Sequence, residues 1–138
     1  MQITEREITQ EELNRIYEDF TKIEIRGGVP QTPVMRYQYT VEEDGKVIGF
    51  VSGLTEHKWF YLSDLWVEEE HRRSGLGSKL LVMMEEKARS AGMEHVYTWT
   101  TGRINPIFYE KHGYKRFTVF EDFCEVEGYH RIGYRKDL

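Results

Sequence analysis

An apolar strand, Trp59-Phe60-Tyr61-Leu62-Ser63-Asp64-Leu65-Trp66-Val67, is followed a few residues on by an amphipathic helix, and the turn between them reads Arg72-Arg73-Ser74-Gly75-Leu76-Gly77. That order sends the helix back across the sheet. Gly75 and Gly77 let the backbone take conformations that side chains forbid, and the exposed amides lead into the unpaired N–H groups and positive dipole end of the helix. Such a turn can hold a pyrophosphate, with Arg72 and Arg73 adding fixed positive charge. The same six residues also make an ordinary glycine turn with two solvated arginines, so the flanking sequence has to decide.

Along residues 75–91, Gly77, Leu80, Leu81, Met84, Ala88 and Ala91 project to one side, while Lys79, Glu85, Glu86 and Arg89 project elsewhere. Val82 falls on the polar side, and Gly92 supplies the stop. Upstream, residues 2–8 alternate loosely and read as a strand. Thr9 and Glu12 then fit a capping box for a helix reaching about Ile23, with Leu13, Ile16, Tyr17 and Phe20 on one face. Gly27-Gly28, Pro30 and Pro33 mark a loop. Residues 36–42 and 46–55 read as strands joined through Glu43-Asp44-Gly45, and with residues 59–67 they predict an antiparallel meander. Residues 95–101 form another strand, Asn105-Pro106 opens a short helix closed by Gly113, and strands at 115–121 and 129–136 bracket a turn near Glu127-Gly128.

A length of 138 residues predicts one domain over 1–138. Net charge of -5 does not favour nucleic acid or an anionic membrane surface. Cys124 is the only cysteine, which excludes an internal disulfide and any Cys-rich zinc site, and suits a reducing compartment. The charged N-terminus is no secretory signal and no stretch approaches a membrane span, so the expectation is a cytoplasmic protein. His57, His71, His95, His112 and His130 lack ligand spacing, and no metal site is expected.

The order of elements resembles the GNAT (Gcn5-related N-acetyltransferase) superfamily over nearly the whole chain. Arg72, Gly75 and Gly77 satisfy its acyl-CoA signature, [Arg/Gln]-x-x-Gly-x-[Gly/Ala]. The segment Asn105-Pro106-Ile107-Phe108-Tyr109-Glu110-Lys111-His112-Gly113-Tyr114 is similar to a second motif, Asn...Phe-Tyr-x-Lys-x-Gly-[Phe/Tyr], and the two occur in the family's order. The resemblance implies an α/β (α+β) fold with a mixed, mostly antiparallel central sheet flanked by helices, and acetyl-CoA as cosubstrate. It further implies that amides of Arg72, Arg73, Ser74, Gly75, Leu76, Gly77 and Ser78 grip the pyrophosphate. Backbone groups of Leu65 and Val67 would pair with the pantetheine arm like an added strand, in a gap where strands 59–67 and 95–101 splay apart. The Leu65 N–H would serve as oxyanion donor, and Asn105 would contact the pantetheine.

Transfer of acetyl from a thioester to an amine needs a neutral nucleophile, a stabilised oxyanion and a proton for the departing sulfur. Tyr109 is the candidate acid, its phenol being protonated at neutral pH; as one of nine tyrosines it would otherwise simply pack a helix. Asp64 is the candidate base, in a strand similar to the Leu-Glu-Asp strand of diamine acetyltransferases. Ser63 replaces their glutamate, which weakens the case for polyamines, and Tyr61 stands where some members carry a glutamate base. Strict alternation places Asp64 with Phe60, Leu62 and Trp66, and a β-bulge would change that parity; a structural salt bridge is the plainer role for it. His71 is placed to assist at the turn, and Glu68, Glu69 and Glu70 read as a solvated strand end. Trp59, Trp66 and Trp99 read as packing residues or as an aromatic wall for a cation. Acceptor choice is expected of residues 25–36, the Glu56-His57-Lys58 turn and residues 120–128.

The expected activity is acetyl-CoA-dependent N-acetylation of a primary amine on a small molecule or peptide. The alternative is a noncatalytic acyl-CoA-binding regulator. Many similar proteins pair through their late strands, which makes a homodimer a possible state.

Overall fold

Asp44-Gly45 turns the first hairpin, with both residues at positive φ (51° and 76°), which is the turn chemistry the right-handed strand twist selects. It joins β1 (Arg36–Glu43) to β2 (Lys46–Glu56), and β3 (Trp59–Val67) completes the meander. The computed structural model describes residues 1–138 as two compact units, Met1–Pro33 and Val34–Leu138. The larger continues through a single 3-10 turn (Glu69–His71), α2 (Leu76–Ser90), β4 (His95–Gly102), α3 (Asn105–Lys111), β5 (Lys115–Phe120) and β6 (His130–Asp137). Its six strands lie in the order β1-β2-β3-β4-β6-β5, all neighbours antiparallel except β3 and β4.

The core lies under α2. Leu80, Leu81, Met84 and Ala88 pack with Val51, Phe60, Leu62, Val96, Ile132 and Tyr134 of the sheet, all but fully buried. Burial on this scale stabilises by about 1.5–3 kcal/mol per large side chain. Val82 stays exposed, as its position on the wheel predicts. Glu85 corrects the expectation, because it is buried rather than on the polar face. A carboxylate out of water needs partners, and Glu85 has two: it accepts from the Tyr114 hydroxyl at 2.9 Å and from Lys136 Nζ at 3.0 and 3.2 Å. Burial, and then the Glu85 charge, push the Tyr114 phenol upward.

In the smaller unit, α1 (Gln10–Arg26) starts with the expected capping box. Thr9 Oγ1 accepts from the Glu12 amide at 3.2 Å, and Glu12 Oε2 accepts from the Thr9 amide at 2.9 Å. Arg6 reaches both Glu12 oxygens at 3.0 Å, and its hydrogen bond is the main cause that holds this carboxyl down to about 2. The helix runs past Ile23 to Arg26 and buries none of its residues. Residues 2–8 form no strand. Their only apolar side chains beyond Met1, Ile3 and Ile8, stand an odd number of residues apart, so alternation gives them no common face to bury.

Candidate active site

A bulge decides what the middle of β3 presents. Register with β2 shifts between Ser52 and Gly53, so that Ser52 faces Asp64 while Gly53 faces Leu62, and Ser63 is the extra residue. Before it, Phe60 and Leu62 point into the core; after it, Leu65 and Val67 do. Asp64 and Trp66 are thereby turned to the other face and exposed, which corrects strict alternation. Gly53 is forced here, because a Cβ would stand 2.2 Å from the Phe60 ring.

The same strand parts from its neighbour. β3 pairs with β4 only over Trp59, Phe60 and Tyr61, after which the two diverge. Thr98 closes the vertex of this fork, its hydroxyl donating to the Leu62 carbonyl at 2.8 Å. On the β2 side, the Glu68 amide donates to the Ile48 carbonyl at 2.8 Å in a register that opposes Gly49 to Val67. Amides alternate along an antiparallel strand, so the backbone groups of Asp64 and Trp66 also point at β2, and those of Leu65 and Val67 point into the gap. Arg72 Nε already donates to the Val67 carbonyl there, at 2.8 Å.

A cleft of about 330 Å³ fills the fork, and Asp64, Leu65, Asn105 and Tyr109 line it together with Phe50, Ser63, Trp66 and residues 98–101 of β4. Four of the expected site residues thus meet at one place. Asn105 opens α3 ahead of Pro106, and this helix carries Tyr109 inward, where it is 7% exposed. Burial pushes its phenol up to about 12, opposed by a hydrogen bond with Thr98. Phe108 packs partly buried against the core, as expected.

Beyond the end of β3, Arg72, Arg73, Ser74 and Gly75 form the exposed turn, with Arg73 at φ 62° and Gly75 at φ 84°. Gly75 holds the N-cap position of α2 in the left-handed region without any side-chain cap, and the first turn contains no acidic residue. A Cβ at Gly75 would meet nothing within 4 Å, so the space over the turn is open. The amides of Leu76, Gly77 and Ser78 are the unpaired donors of this helix start, and that donor set, flanked by two arginines, fits a pyrophosphate. His71 takes no part in the cleft: Nε2 lies 3.1 Å from Glu43, Nδ1 lies 3.2 Å from Glu68, and Lys46 completes the ion cluster. Glu68 accordingly belongs to an ion-pair network rather than a free strand end.

Two groups of residues, one lining the cleft and one around the bulge, were not singled out in the sequence, apart from Arg36 as the end of the segment 25–36. Thr98 and Thr100 are buried in β4, and polar residues at the core-facing positions of a strand were their signal. Arg36, Gln38 and Ser52 surround the bulge through hydroxyl hydrogen bonds, and no local pattern announces a contact that crosses three strands. Trp66 stays 43% exposed beside Asp64, while Trp99 packs on Phe117 and Phe120 at 5.5 and 5.4 Å.

Known proteins are similar to this chain in sequence and fold. The profile of the acetyltransferase (GNAT) domain matches residues 36–116. The chain belongs to the GNAT acetyltransferases. It is 31% identical over 104 residues to the blasticidin-S acetyltransferase of Streptomyces morookaense, covering 67% of this chain and 74% of that protein. It is also 35% identical over 74 residues to an acetyltransferase of Agrobacterium fabrum, where it spans about half of that relative's length (54% of each chain). Among solved structures, an acetyltransferase from Bacillus cereus superposes with a TM-score of 0.83 at 26% identity, over 99% of this chain and 98% of that one. A GNAT family acetyltransferase from Elizabethkingia anophelis with acetyl-CoA bound shares the fold at TM-score 0.64 and 14% identity, over 88% and 83% of the two chains. GNAT relatives of this acetyltransferase therefore include proteins that bind acetyl-CoA. No helix of the chain is long and apolar enough to cross a membrane.

Proposed function

We propose that this GNAT acetyltransferase moves an acetyl group from acetyl-CoA to a primary amine of a small molecule or peptide. The observation that carries the reading is the convergence of Asp64, Leu65, Asn105 and Tyr109 on the cleft where β3 and β4 part. The likeness to a blasticidin-S acetyltransferase supports an antibiotic-like amine within that class.

Acetyl-CoA would supply the activated acetyl thioester, its pyrophosphate held by amides of residues 73–78 and its pantetheine arm by Leu65, Val67 and Asn105. The Arg72 amide, expected among these donors, is already bonded to the Glu69 carbonyl at 3.2 Å. The amine nitrogen bonds to the thioester carbon as the carbon–sulfur bond breaks, so one proton must leave nitrogen and one must reach sulfur. Asp64, exposed and free of any ion pair, takes the first. The Leu65 N–H donates to the carbonyl oxygen as it gains charge. Tyr109 serves the sulfur, and its raised pKa defines how. From about 12, full transfer to a thiolate of about 8.5 runs uphill, so the phenol stabilises the leaving sulfur by donating a hydrogen bond while solvent provides the proton.

The test is release of CoA thiol with a panel of primary amines, run alongside acetyl-CoA titration. Asp64→Asn is expected to lower kcat by about a hundredfold or more with little change in acetyl-CoA Kd, and Tyr109→Phe to do the same more mildly. Acetyl-CoA binding without any amine-stimulated thiol release would instead identify a regulator.

A further inference from the structure

Asp64 does not stand alone on the outward face. Ser63 Oγ donates to Asp64 Oδ2 at 2.8 Å and itself accepts from Arg36 Nη1 at 3.1 Å. The same Nη1 donates to Ser52 Oγ at 2.7 Å, and Gln38 Nε2 reaches that hydroxyl at 3.2 Å. Ser52 is fully buried, so it anchors the guanidinium from beneath. Register explains the assembly. Gln38, Ser52 and Asp64 oppose one another across β1, β2 and β3, and Arg36 lies two residues before Gln38 on the same face.

The arrangement leaves a cation and an anion one hydroxyl apart, each without an ion pair. Arg36 Nε and Nη2 carry no protein partner, and neither Arg36 nor Asp64 has an oppositely charged group within salt-bridge range. Both side chains are exposed. An arginine fixed through one nitrogen presents its remaining donors as a preset fork for a carboxylate. Opposite charges at this spacing complement a small molecule with its own charges reversed, an ammonium for Asp64 and a carboxylate for Arg36.

We infer that the acceptor is a zwitterion of the amino-acid type, with Arg36 as the residue that selects its carboxylate. This rests on the acetyl-transfer reading and narrows it. Ser63, the bulge residue, is the positioning group that sets the two charges apart.

The experiment compares matched acceptors: α- and β-amino acids, each against its decarboxylated amine and its methyl ester, with acetyl-CoA and thiol release as readout. The carboxylated member is expected to win by roughly tenfold or more in kcat/KM, the worth of a charge-assisted hydrogen bond. Arg36→Gln should bring that ratio close to one, and Arg36→Lys should restore part of it; melting curves establish that the variants fold. If the decarboxylated amines and esters react as well as the amino acids, or if Arg36→Gln lowers all members equally, the carboxylate site falls while acetyl transfer stands. If no amine of any kind is acetylated although acetyl-CoA binds, the functional reading falls and this one with it.

Discussion

The first turns of α1 and α2 meet the same requirement in opposite ways. Thr9 and Glu12 satisfy amides at the start of α1, two glutamates sit in its first turn, and the helix buries nothing. At the start of α2 there is no side-chain cap and no acidic residue, and Gly75 enters from the left-handed region. In exchange α2 buries Leu80, Leu81, Met84, Glu85 and Ala88. The difference is one of division of labour. A helix start closed by a capping box and bearing Glu11 and Glu12 turns an anion away, whereas one held by packing, with no cap and no acidic residue, leaves its amides and dipole end free for an anionic ligand.

The comparison breaks most visibly at Gly77. A Cβ there would meet Phe108 and Val67 only at 3.7–3.8 Å, which is ordinary contact, so Gly77→Ala should bind acetyl-CoA as before. Gly77→Glu adds a charge that suits the helix dipole but opposes a phosphate; titration calorimetry should show Kd rising by about a hundredfold or more with the fold retained. Unaltered affinity in the glutamate variant would remove the turn from the cofactor site.

Packing is the second half of the contrast. Leu81→Ala, at a position with no exposed surface, should cost about 2–5 kcal/mol in denaturant unfolding. Thr9→Ala should cost about 1 kcal/mol of local helix stability, read by circular dichroism, and leave acetyl-CoA binding unaltered. The α1 cap should also respond to acid. Glu12 is held down to about 2 in the folded chain, so its contribution is complete above its ordinary range near 4.5 and lost as pH falls through about 2. Helicity that stays flat from pH 5 to pH 2 would contradict the ionised Glu12 that Arg6 first, and the Thr9 amide second, hold in place.

Legibility in the sequence followed the range of the forces involved. The Thr9 and Glu12 cap, the Asp44-Gly45 turn and the strand Trp59–Val67 are local, and the folded chain has them where the pattern puts them. The turn before α2 and the helix that opens at Asn105 were readable through their resemblance to two GNAT signatures in the family's order, which the turn's six residues alone left open. Strict alternation misplaced Asp64 because the bulge at Ser63 depends on a partner strand, with Phe60 lying over Gly53. Glu85 misled the helix wheel for a related reason: its partners Tyr114 and Lys136 come from far along the chain. Arg36 fell at the end of the segment 25–36 expected to choose the acceptor, but its contacts with Ser52 and Ser63 arise only when three strands align.

The central claim is that the open amides of α2 receive the cofactor. Nitrogen-15 amide spectra of the labelled protein, titrated with CoA, test it at the atoms concerned. The account predicts that the Leu76, Gly77 and Ser78 resonances shift in a saturable way while those of Gln10, Glu11 and Glu12 at the capped start of α1 stay in place. Saturable CoA binding that leaves Leu76, Gly77 and Ser78 unmoved would contradict it.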